Sequence, residues 1–199
     1  MLKELYKRTM DLVYVNFLWI LFSFLGILIT LGAATTALFR VIFQLFKTKE
    51  VTSVFPLFLK SFKENFIQST LIYIGLLVLG FSTYVMISYG FEHSVTWMIV
   101  IGVFVAYEWL VFTLYVFPVL AVFKTSKWTQ LIKNVILLSN YHVWTNVKLV
   151  GSFVFVGLLV YYVHASFMLL AIGIYGFLVA FQLQKIFQPY IDKLEIERV

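Results

Sequence analysis

The stretch WILFSFLGILITLGAATTALFRVIFQLF, residues 19–46, decides how this chain folds. It carries one charge, Arg40, and places Gly32, Ala33, Ala34, Thr35 and Thr36 near its middle. The apolar context begins at Leu12. At about 1.5 Å per residue, one straight helix over 12–46 would reach roughly 52 Å. A bilayer hydrocarbon core is only about 30 Å thick. The segment must therefore overhang, tilt steeply or turn back on itself. Lys3, Lys7 and Arg8 precede it, and Lys47 and Lys49 follow it. Short basic segments stay on the cytoplasmic side, and a single crossing would put one of the two clusters outside. The reading that satisfies both is a helical hairpin or re-entrant segment over 12–46, bent at Gly32, Ala33, Ala34, Thr35 and Thr36. Each arm, at roughly 17 residues, sits at the lower limit for spanning.

The rest of the chain agrees with a membrane setting. Of 199 residues, 62% are hydrophobic and 12% charged, about half the charge of a soluble domain. Apolar runs recur as far as residue 187, so the hydrophobicity is more than a signal peptide or one anchor. The absence of cysteine excludes disulfides, thiolate metal sites, cysteine nucleophiles and palmitoylation. The net charge of +6 lies in short segments between apolar runs. With no nucleic-acid motif beside it, that charge points to anionic lipid, and the lipid bilayer is the expected partner.

Periodicity divides the remainder. Phe55, Phe58, Leu59, Phe62 and Phe66 recur at helical spacing opposite Lys60, Lys63 and Glu64, which predicts an interfacial amphipathic helix over 54–65. Spans are expected at 66–90, 96–123, 149–163 and 165–187, with a second interfacial helix at 128–141 and a tight turn around His164. The basic loops 47–65 and 124–148 belong inside, whereas the link FEHSV (91–95) has no Lys or Arg. Both termini are therefore expected in the cytoplasm. Residues 38–80 and 116–158 also share an order of helix end, basic link, amphipathic helix and span, but their identities are near chance for this composition.

The sharpest chemical feature is Glu108, near the centre of the 96–123 span. An acidic side chain there costs at least about 2.5 kcal/mol on insertion scales. It could serve as a proton, cation or sugar-hydroxyl ligand, or as a structural partner for Arg40 or for a Tyr or Trp hydrogen. Arg40 could instead snorkel to the interface. Pro118 removes a backbone hydrogen bond and is expected to bend its helix. Glu108, Arg40 and Pro118 form the candidate intramembrane polar site. Asn16, Trp19, Gln68 and Asn146 place amides and an indole near helix ends, where they could contact a sugar or bind helices to one another. Asn65, Gln182 and Gln184 stand in similar positions. The three histidines lack metal-ligand spacing, no nucleophile elbow or phosphate-binding loop occurs, and no paired membrane carboxylates are present. Neither an enzyme nor a bound cofactor is expected.

Three blocks carry a resemblance: NFLWILFSFLGILITLGAATTALFRVIFQLF (16–46), FKENFIQSTLIYIGLLVLG (62–80) and FPVLAVFKTSKWTQLIKNVILLS (117–139). In order and spacing they resemble the YesL family of bacterial membrane proteins. Members often carry a proline beside the small Ala/Thr group, and this chain has none there. The resemblance implies a multi-pass protein of the bacterial plasma membrane, encoded beside carbohydrate ABC importers, and carries over no catalytic residues. The expected architecture is an all-α integral membrane bundle with an N-terminal hairpin, four further spans and two cytoplasmic interfacial helices. The expected function is a non-enzymatic accessory or assembly partner of a carbohydrate ABC importer, contacting its permease subunits. The alternative is a small stand-alone transporter or channel centred on Glu108. A homo-oligomer is compatible with either, and nucleic acid with neither.

Overall fold

A computed structural model describes residues 2–26, 28–47, 53–123, 127–162 and 168–196. Its helices are α1 (Leu2–Leu25), α2 (Leu31–Lys47), α3 (Val54–Glu92), α4 (Thr96–Val122), α5 (Trp128–Tyr141), α6 (Val143–Tyr162) and α7 (Met168–Ile196). Among the described residues, five segments are long and apolar enough to cross a membrane: Tyr6–Leu25, Val54–Glu92, Thr96–Val122, Val143–Tyr162 and Leu170–Asp192. This is a helical membrane protein. The expected tight turn around His164 lies outside the described residues.

The 12–46 stretch does turn back, but not where its small residues stand. The turn falls at 26 and 28–30, and residues 32–36 lie inside α2. Leu28 takes φ 63, a left-handed conformation that a leucine adopts only under constraint. Two bonds supply that constraint: the Leu28 amide donates to the Ser23 carbonyl at 2.9 Å, and the Thr30 hydroxyl to the Phe22 carbonyl at 2.6 Å. The small residues serve packing instead. Gly32, Ala33, Ala34, Thr36, Ala37, Leu38, Val41 and Ile42 are all buried. Helix α2 packs against α1, α3, α4 and α7, and small side chains let those backbones approach. Inside a bilayer, lipid tails are as apolar as leucine, so close packing and interhelical hydrogen bonds drive such association.

Residues 54–90 also differ from the expected division into an interfacial helix and a separate span. Helix α3 runs unbroken over 39 residues, about 58 Å, because Lys60, Lys63 and Glu64 change polarity without breaking a helix. The apolar face of its first turns is docked on the protein: Phe22 of α1 lies 5.3 Å from Phe58 and 5.0 Å from Phe62, centroid to centroid. Gly32, at the start of α2, meets Ser69 and Tyr73 near the middle of α3. Past that point α4 is the partner. Trp109 Nε1 donates to the Leu76 carbonyl at 2.8 Å, and Gly80 faces the same indole.

Helix α5 falls where a second amphipathic helix was expected, with Leu131, Val135 and Ser139 buried one turn apart. Helix α6 begins at Val143, six residues before the expected 149, because the His142 carbonyl accepts from both Thr145 and Asn146 and starts a new turn. Tyr115 of α4, Leu131 and Val135 of α5, and Leu183 and Phe187 of α7 are essentially inaccessible and share one apolar core with the buried face of α2. By contrast, the far half of the α3–α4 pair exposes Phe81, Tyr84, Val103 and Phe104, a surface suited to hydrocarbon.

Candidate functional site

The polar residues singled out in the sequence do not converge on one centre. Each is used at a different helix contact. Trp19 Nε1 donates to Thr35 Oγ1 at 3.0 Å, and Thr35 in turn donates to the Leu31 carbonyl at 2.7 Å. At the next residue, on the buried face, Thr36 Oγ1 lies 2.8 Å from Ser69 Oγ of α3. The two threonines therefore tie α2 to α1 and to α3. Asn16 Oδ1 accepts from the Gly173 backbone amide at 2.7 Å, which links α1 to α7. Asn146 Nδ2 donates to the Ser139 carbonyl at 2.9 Å, joining α6 to α5. Gln68 is half-buried on α3.

Arg40 sits in the buried helix α2 and sends Nη1 to the Ala121 carbonyl at 3.0 Å. Ala121 lies in the last turn of α4, where carbonyls lack intrahelical partners and the helix dipole favours a cation. Pro118 is three residues earlier, buried, and α4 continues through it to Val122. Its ring removes the donor that Leu114 would otherwise receive. Arg40 and Pro118 thus shape the same helix end.

Glu108 stands apart from them. It is 13 residues from Ala121 on α4, about 20 Å along the axis, and the Arg40 guanidinium is engaged at the far end of that distance. Its contact is Asn140 of α5, whose Nδ2 donates to Glu108 Oε2 at 3.1 Å and also to the Ile136 carbonyl. Helix α5 therefore returns along α4 from Val122 toward the helix middle. Sequence reasoning missed Asn140 because the pairing spans 32 residues and is set by the α4–α5 turn.

Gln182, one of the amides noted near helix ends, joins α7 to α6: its Nε2 donates to Ser152 Oγ at 2.7 Å. Its partner Ser152 was missed, and so was Tyr175 of α7, which packs edge-on against Phe153 at 5.7 Å. The signal for Tyr175 was modest: a tyrosine seven residues before a glutamine, on one face of an apolar helix. Among the described residues no group of three or more His, Asp or Glu side chains is arranged to hold a metal. His93 stacks on Tyr89 at 4.0 Å.

Comparison with known proteins finds likeness over part of the chain. The family described as "Protein of unknown function, DUF624" matches residues 12–87, which cover most of α1, all of α2 and most of α3. "Uncharacterized protein YesL" of Bacillus subtilis (strain 168) is 32% identical over 121 residues, 59% of this chain and 56% of that relative. The aligned part of this chain thus spans little more than half the length of the relative it matches. No solved structure matches. Both findings bear out the resemblance drawn from the sequence.

Proposed function

We propose that this YesL-like membrane protein is a non-enzymatic accessory or assembly partner of a carbohydrate ABC import system in the bacterial plasma membrane, with both termini cytoplasmic. The observation that carries the reading is the use of its buried and half-buried polar side chains. Trp19, Thr36, Asn16, Arg40 and Asn146 each bond a different pair of helices. That arrangement fits a stable scaffold, because hydrogen bonds between helices hold a bundle together where hydrophobic burial no longer discriminates. The family resemblance supplies the importer setting. The broad apolar surface of the α3–α4 pair offers room for permease helices.

The test is co-purification with permease subunits of a sugar importer in mild detergent, paired with sugar uptake in a deletion strain. Recovery of the permease together with reduced uptake is the expected result; failure of both refutes the reading. One observation favours a second reading, a stand-alone transporter or channel. Glu108 sits mid-helix and is held by Asn140. Solute flux in proteoliposomes that disappears in Glu108→Gln would support it.

A further inference from the structure

The amides that join α6 to its neighbours each use one end and keep the other. Asn146 is 3% exposed, and its Nδ2 faces the Ser139 carbonyl. A carbonyl only accepts, so the orientation of the amide is fixed and Oδ1 is the free end. That atom is buried with no hydrogen-bond partner. Gln182 obeys the same logic. Ser152 Oγ donates its single hydrogen to the Lys148 carbonyl at 2.9 Å, so it can only accept from Gln182 Nε2. Gln182 Oε1 is then left over, buried and without a partner. The Tyr175 hydroxyl is a third such group.

Gln182 and Tyr175 of α7 touch Ser152 and Phe153 of α6, and Asn146 lies two turns before Phe153 on the same face of α6. On α6, residues 146, 149, 153 and 156 recur at helical spacing; on α7, residues 175, 179 and 182 do the same. Leu149 and Val179 on those faces are fully buried. No lipid group can donate to an oxygen enclosed there, so an unmet acceptor in a membrane bundle is costly. Two amide oxygens and a phenol call for a guest that donates hydrogen bonds. None of the side chains on these faces is charged, so the guest is neutral.

We propose that the α6–α7 contact binds neutral hydroxyl donors, either water or the hydroxyls of a solute, along a lane formed by Asn146, Gln182 and Tyr175. The inference does not depend on the accessory reading, since a scaffold and a transporter could each carry such a lane.

The chain is free of cysteine, which makes the lane directly testable in membrane vesicles. Leu149→Cys and Val179→Cys lie in the lane; Leu38→Cys and Ile42→Cys lie in the apolar packing of α2. A small cationic methanethiosulfonate reagent reacts with thiolate, which requires water or an equivalent donor. The lane positions are expected to label many-fold faster than the α2 positions; equal, slow labelling overturns the proposal. A second measurement covers the chance that a cysteine perturbs packing. In a dry contact, Tyr175→Phe removes an unmet polar group and raises the melting temperature. In an occupied lane it removes a bonded hydroxyl and lowers it, by about 2–4 °C for each kcal/mol lost. A fall is expected, and a rise contradicts the lane. The source of the donor is read from Leu149→Cys labelling with and without a neutral disaccharide: protection assigns the donor to a solute, and unchanged fast labelling assigns it to water.

Discussion

Replacing Gly32 by alanine probes the packing of α2 at its tightest point. A Cβ added there meets the Ser69 carbonyl, Tyr73 Cβ at 2.8 Å and Phe117 Cε1 at 3.1 Å. Favourable carbon–carbon separations begin near 3.5 Å, so α2 would have to move by roughly 0.7 Å from α3. Phe117 of α4 stands close to the same methyl, and the Ser69 carbonyl belongs to helix backbone that cannot rotate away. Overpacking of this kind costs about 1–3 kcal/mol, while the gain in helix propensity from glycine to alanine returns about 1 kcal/mol. The expected net loss is up to about 2 kcal/mol, or up to about 8 °C in melting temperature for a chain of this size. Gly75 provides the control. It is exposed on α3, and a methyl added there would meet nothing within 4 Å, so Gly75→Ala should stabilise by about 0.5–1 kcal/mol. Thermal unfolding followed by intrinsic tryptophan fluorescence in detergent micelles reads both. A Gly32→Ala protein that melts at or above the parent temperature would refute the packing role of the small residues.

Other substitutions separate the polar contacts. Arg40→Met leaves the Ala121 carbonyl without its charged partner and should cost about 1.5–3 kcal/mol; Arg40→Lys should recover part of that, both read by the same melting assay. Trp19→Phe keeps most of the ring but loses the bond to Thr35, with an expected cost of about 0.5–1.5 kcal/mol. Glu108→Gln preserves an acceptor for Asn140 and should leave the melting temperature nearly unchanged, whereas Glu108→Leu should lower it. Under the accessory reading Glu108→Gln also leaves sugar uptake intact in a complementation assay.

Much of this architecture was legible in the sequence, and the exceptions have physical causes. Hydrophobic run lengths and basic flanks pointed to a hairpin over 12–46, because bilayer thickness and charge placement leave few alternatives. They misplaced the bend, because small residues serve close helix packing as readily as turns. The residue that turns the chain, Leu28, carries no local signal for a positive φ; the bonds from its amide and from Thr30 impose it. The apolar stripe over 54–65 suits a neighbouring helix as well as a lipid surface, and in α3 its Phe58 and Phe62 lie against Phe22 of α1. Asn16, Trp19 and Asn146 were legible as candidates for binding helices to one another. The Glu108–Asn140 bond and the Gln182–Ser152 bond were not, because pairings across roughly thirty residues depend on helix crossings that no local pattern encodes.

The hairpin that orders the whole bundle is tested most directly by sidedness. Met10, Phe55 and Phe91 are each exposed, and each can be replaced singly by cysteine in this cysteine-free chain. An impermeant thiol reagent is then applied to intact cells or to inverted vesicles. With both arms of the hairpin in place, Cys at positions 10 and 55 labels from the inner face and Cys at 91 from the outer face. Labelling of position 10 from the same side as position 91 would mean that 12–46 crosses only once, and would contradict the hairpin.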